Sequence, residues 1–220
     1  MRNRYDQQLH LLKKEMISIG ALCETAIARS AQALLTGDWA LAGQVTELSG
    51  EISAKEREIE GMCLKILLQQ QPVARDLRMV SSALKMVTDM ERIGHQSADI
   101  ADIIQVAKLK PREDIRDLSD MAQAAISMVT EAIDAFVGQD EKKAREVVAY
   151  DDVVDDYFSR IRKKLILSIR DPQHDAEYAM DLLMIAKYFE RIGDHAVNIA
   201  GWVIFSITGV HKSGHQEVHP

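Results

Sequence analysis

The chain has 220 residues, of which 47% are hydrophobic and 28% charged, with only 5% aromatics, 4 Pro and 11 Gly. Abundant Ala, Leu, Ile and Met suit packed helices and make poor material for sheets. A formal net charge of −7 argues against a duplex nucleic-acid binder, which needs a basic face to displace counterions, and against a constitutive electrostatic grip on anionic lipid.

Breakers divide the sequence into six long apolar-periodic segments. The first runs from about Tyr5 to Thr36 and stops at Gly37-Asp38. Its Leu9, Leu12, Met16, Ile19, Cys23, Ala26, Ser30 and Ala33 alternate steps of three and four, a seam for a neighbouring helix. The second runs from about Trp39 to Gln70 and stops at Gln71-Pro72, and the third spans about Ala74 to Ala107. Pro111, with Glu113 and Asp114 behind it, is expected to open a fourth helix that ends near Gly138. The fifth spans about Glu141 to Ile169, closed by Asp171-Pro172, and the sixth about Asp175 to Thr208, closed by Gly209.

Helices of this length joined by short turns must run antiparallel. The expected architecture is therefore all-α: two tandem three-helix bundles, residues 1–108 and 112–210, with a polar, solvated tail over 211–220. His211, His215 and His219 belong to that tail. Cys23 and Cys63 lack CxxC spacing and read as small apolar core residues of a reducing compartment. The first residues lack the apolar stretch of a signal peptide. The longest apolar run, from Trp202 to Val210, is interrupted by Ser206, Thr208 and Gly209 and is too short to span a bilayer. A cytoplasmic protein without a transmembrane segment is expected.

An internal repeat supports the duplication. Glu91-Arg92-Ile93-Gly94 recurs as Glu190-Arg191-Ile192-Gly193, a shift of 190 − 91 = 99 residues. Each copy continues with polar side chains and closes on Ile-Ala: His95 and Asp99 before Ile100-Ala101, Asp194 and Asn198 before Ile199-Ala200. Gly94 and Gly193 each cost their helix about 1 kcal/mol relative to Ala. The same cost at equivalent places predicts close approach of a neighbouring helix rather than a hinge.

The polar residues flank the packing seams. In the sixth helix the seam is Leu182, Ala186, Phe189, Gly193, Ala196, Ala200, Val203 and Ile207, with Glu190, Asp194 and Asn198 beside it, each about 40° from the last. In the fifth, Val147, Tyr150, Val154 and Ile161 form the seam, and Asp151 and Asp155 follow two of its members by one residue. Two acid stripes facing each other at an axis separation of about 8–10 Å gather four carboxylates and an amide within reach of one set of cations. Like charges at i, i+4 destabilise a helix by about 0.2–0.5 kcal/mol per pair, unless a cation neutralises them. The plainer alternative is a solvated acidic face, with Lys163, Lys164, Lys187 and Arg191 as counter-charge. An oxygen-rich donor set suits Fe, Mn or Mg, and the absence of a Cys set argues against structural zinc. Aligning Ile59 with Ile161 places Ser49 and Ser53 opposite Asp151 and Asp155, so the first half, with Glu91, His95 and Asp99, is depleted. Glu51 and Glu56 point elsewhere on their helix.

These residues resemble the PhoU family, the phosphate-transport accessory proteins, over nearly the whole chain. The resemblance is carried by Gln70-Gln71-Pro72 with Asp76-Leu77-Arg78, by Glu91-Arg-Ile-Gly94, by Asp151-Asp-Val-Val-Asp155, by Glu190-Arg-Ile-Gly-Asp194-His195-Ala, and by Ala200-Gly-Trp-Val with Thr208-Gly209. It implies two three-helix bundles whose E/D-x-x-x-D motif pairs hold multinuclear iron or zinc clusters. Carried over, the second-bundle pair is Asp151/Asp155 with Glu190/Asp194; the residues themselves add Asn198 as a weaker ligand and His195 beside it. The first-bundle pair is Ser49/Ser53 with Glu91/His95, which departs from the motif at three of four positions. The resemblance also implies a regulator, not an enzyme. It would link the ATPase subunit of a phosphate ABC transporter to a membrane sensor histidine kinase, with a homodimer as the expected assembly. Two rivals remain at this stage: a carboxylate-bridged dimetal enzyme, whose Glu-x-x-His pattern the chain lacks, and a metal-free helical scaffold.

Overall fold

The computed structural model describes residues 2–111, 115–170 and 175–210. The chain order is α1 (Arg2–Thr36), α2 (Trp39–Gln70), α3 (Ala74–Val106), α4 (Arg116–Gly138), α5 (Glu141–Ile169) and α6 (Ala176–Thr208). No strand occurs among the described residues. The fold is all-α, as the composition predicts.

Local chemistry sets most of the boundaries. Gly37 takes the left-handed φ of +67° that ends α1. Asp38 then caps α2, its Oδ1 accepting from the backbone N–H of Ala40 and Leu41, both at 3.0 Å. Asp140 caps α5 through Lys143 N–H at 3.0 Å, and Asp175 caps α6 through Tyr178 N–H at 3.1 Å. The start of α4 differs from the expectation. Pro111 lies outside the helix, with its Cδ packed against Gly37, and α4 begins at Arg116. The linker is held instead by tertiary contacts: Trp39 Nε1 donates to Leu109 O at 3.2 Å, and Gln105 Nε2 to Trp39 O at 3.0 Å. Glu113, Asp114, Asp171, Pro172 and the tail histidines lie outside the described residues.

Helices α1, α2 and α3 pack on one another, as do α4, α5 and α6. The seam of α1 is buried from Leu12 to Ala33, including Met16, Ile19, Cys23, Ala26 and Ser30, while Leu9 is partly buried at its end. Burying such a face is what stabilises long helices in water. Cys23 and Cys63 are both buried and free, and burial pushes the Cys63 thiol up to about 12. One seam residue is misplaced by the periodicity: Tyr150 is 41% exposed, lining a surface groove with Ser127, Met128, Glu131 and Lys143.

The two bundles share one hydrophobic core. They meet through α1 against α4 and α3 against α6, leaving α2 and α5 on the outside. Gly20 of α1 lets Ile133 of α4 lie directly on the helix backbone, and Lys13 Nζ donates to Val137 O at 2.8 Å across the same contact.

Gly94 and Gly193 are sites of close helix approach. A Cβ at Gly94 would meet Ile52 Cδ1 at 2.9 Å and Cγ2 at 3.1 Å, and one at Gly193 would meet Asp151 Oδ1 and Val154 Cγ1, both at 3.3 Å. Gly61, by contrast, has open space around it. Gly61→Ala is therefore expected to stabilise the protein by about 0.5–1 kcal/mol, the helix-propensity gain alone. Gly94→Ala should destabilise by about 1–2 kcal/mol, because overpacking against Ile52 outweighs that gain. Thermal or urea unfolding of the two variants checks both signs.

Candidate metal centre

Helices α5 and α6 pack together around Val154, Ile161, Phe189 and Gly193, all buried. Asp151 and Asp155 leave α5, and Glu190 and Asp194 leave α6, on one flank of that contact. Their nearness shows in their electrostatics. Burial, then the charges of Asp155 and Asp194, push the Asp151 carboxyl up to about 6. Burial and Glu190 raise Asp155, and the same two causes raise Asp194, while the Lys187 ammonium opposes both shifts. The fold crowds these carboxylates, and Asp151, half-buried while Asp155 and Asp194 are exposed, resists ionisation most.

Several features fit a cation. All four donors are carboxylates, the type that hard and borderline metals take. The missing side chain at Gly193 makes room for Asp151 Oδ1 against α6. Glu190 Oε2 is closed off from solvent and accepts no aligned hydrogen bond; the Lys187 ammonium, one turn earlier, contacts it. Among the described residues, however, no three His, Cys, Asp or Glu side chains converge as a finished ligand set.

The remaining α6 residues face another helix. His195 Nδ1 lies 2.9 Å from Asp89 Oδ1 on α3, and Asn198 Nδ2 donates to the same oxygen at 3.4 Å. Both side chains are thus engaged at the contact between bundles. Asp89 has no counterpart in the repeat, since position 188 is a tyrosine, and no spacing rule in the sequence singles it out.

In the first bundle, Ser53 Oγ lies 3.2 Å from His95 Nε2. The alignment of Ile59 with Ile161 and the repeat pair these two residues with Asp155 and Asp194, whose charges also act on one another. Ser49 is buried, 7% exposed. Glu56 does face this region, against the expectation: burial and the charge of Glu91 raise its carboxyl. Its position on α2 gave no hint of this, because a long side chain reaches beyond its own helical stripe. Asp99 is raised by burial and Asp102, while His95 and, from α6, Arg191 pull it down.

The crowding has a thermodynamic sign. Asp151 binds its proton more tightly in the folded protein, so its contribution is fully stabilising below its ordinary carboxyl range and is lost as pH rises through about 6. In metal-stripped protein, Asp151→Asn should melt higher than wild type near pH 8, by an amount on the order of a few degrees. The gap should close as pH falls toward about 5. A gap that stays constant with pH would show that charge crowding is not its cause.

Comparison with known proteins agrees with the duplication. The family model for the PhoU domain matches twice, at residues 16–104 and 118–203. A phosphate-specific transport system accessory protein PhoU homolog from Clostridium acetobutylicum is 31% identical over 210 residues, covering 94% of this chain and 96% of that one. The Pseudomonas aeruginosa homolog is 34% identical over 212 residues, 94% of this chain and 86% of that protein. The crystal structure of PhoU from Pseudomonas aeruginosa superposes with a TM-score of 0.87 at 31% identity, covering 94% of this chain and all (100%) of that one. The phosphate transport system regulatory protein PhoU from Streptococcus pneumoniae gives a TM-score of 0.86 at 26% identity, covering 95% and 99% of the two chains. Two matched domains, near-full-length identity and a shared fold place the chain in the PhoU family.

Proposed function

We propose that this protein is a non-enzymatic accessory of phosphate-specific transport that holds the phosphate-starvation response off when phosphate is plentiful. In this reading it joins a phosphate ABC transporter, through the ATPase subunit, to a sensor histidine kinase, and acts as a homodimer in the cytoplasm. The observation that supports it is the near-full-length likeness to accessory proteins of phosphate-specific transport. Among the described residues no helix is long and apolar enough to cross a membrane. Contact with the inner face of the membrane would therefore run through those partners.

The same reading gives the acid set of the second bundle a metal, iron foremost, with zinc, manganese or magnesium as the other candidates. Asp151, Asp155, Glu190 and Asp194 would hold it, and a bound cation would supply the charge that offsets their mutual repulsion. Asn198, next along the stripe, and His195 reach Asp89 instead, and so position α6 against α3. Glu91, His95 and Asp99 form the weaker first-bundle counterpart, because Ser49 and Ser53 bring no charge to it.

Deleting every copy of the gene should switch on phosphate-starvation genes in phosphate-rich medium; unchanged transcript levels there would reject the regulatory role. Elemental analysis after metal loading tests the site itself. Asp194→Asn is expected to remove most of the bound metal and Glu91→Gln to change it little. Equal losses from the two substitutions would reject the asymmetry between the bundles.

A further inference from the structure

Several cations of the second bundle stand near the acids in sequence, and the fold commits some of them elsewhere. Lys164 Nζ pairs with Asp117 of α4 at 2.5 Å. The charge of Arg191 acts on Asp99 of α3. Lys187 is different. Its ammonium contacts Glu190 Oε2 within α6 and lies 5.3 Å from the centre of the Phe158 ring on α5, between the two helices that carry the acids.

We infer that Lys187 is the resident counter-cation of this acid set, seated on Glu190 so that any divalent cation must take its place. The inference rests on the metal reading above and adds to it an exchange of one cation for another.

Three observations carry it. The Glu190 side chain is 15% exposed, its Oε2 is closed off and the ammonium already contacts it, so a cation binding this oxygen competes with Lys187. Lys187 is 47% exposed on a flexible stem, so it can swing into water without disturbing the core. The first bundle shows the converse. The equivalent of Lys187 is 187 − 99 = 88, a threonine whose hydroxyl donates to Leu84 O of its own helix at 3.3 Å. The cation thus occurs in the bundle that has Asp151 and Asp155 and is missing from the one that has Ser49 and Ser53.

The test uses the full chain, stripped with EDTA, freed of chelator and titrated with Mn²⁺ near neutral pH, with free Mn²⁺ read by electron paramagnetic resonance. Lys187→Met keeps a stem against Phe158 and removes the charge; Lys187→Arg keeps the charge. Lys187→Met should bind Mn²⁺ about tenfold more tightly than wild type, and Lys187→Arg within a factor of about three of it. The stripped Lys187→Met protein should also melt lower than stripped wild type and regain the difference on adding Mn²⁺. Uptake by Lys187→Met with none by wild type would support the exchange in its strongest form. Equal affinities of wild type and Lys187→Met overturn the inference and leave the metal reading standing. No uptake by either overturns the metal reading and the inference with it. Lys187→Gln serves the same comparison if the methionine variant does not fold.

Discussion

The approach of α5 to α6 across Gly193 is the contact on which the acidic face depends. Because position 193 has no Cβ, Val154 and the Asp151 carboxylate of α5 settle against the backbone of α6. A helix interior gives up about 1 kcal/mol for such a glycine, and close packing of the two helices offsets it. The first bundle uses the same device, with Ile52 over Gly94. There the neighbouring residues are Ser49 and Ser53, so the packing recurs without the charge.

What makes the second bundle chemically distinct is four carboxylates gathered on one flank of a helix contact, Asp151 and Glu190 half-buried and Asp155 and Asp194 exposed. Asp151, Asp155 and Asp194 are all harder to ionise than free carboxyls, and burial is the leading cause for each. Water screens exposed charges from one another, so the crowding acts most strongly on Asp151, the carboxyl pushed furthest up.

Helix α6 serves two contacts at once. Glu190 and Asp194 face α5, while His195, about 100° on from Asp194, and Asn198, about 40° on, reach α3. One flank carries the acid set and the other joins the bundles through Asp89 and Asp99. Both flanks rest on one continuous core.

Much of this was legible in the sequence. The heptad seam of α1, the helix ends at Thr36, Gln70, Gly138, Ile169 and Thr208, and the close approach at the two glycines all follow from local rules: side-chain periodicity, capping and the steric cost of a Cβ. The 99-residue repeat paired His95 with Asp194, and the alignment of Ile59 with Ile161 paired Ser53 with Asp155. Other features needed the tertiary structure. Pro111 packs on Gly37 instead of opening α4, because Trp39 and Gln105 hold the linker from outside it. Tyr150 faces solvent, because a seam three and four residues apart is wider than the strip its neighbour covers. His195 and Asn198 turn to Asp89, and Lys187 to Glu190, although all of them stand close to the acids in sequence. Periodicity fixes the angle at which a side chain leaves its helix; which neighbour waits there is decided by how six helices share one core.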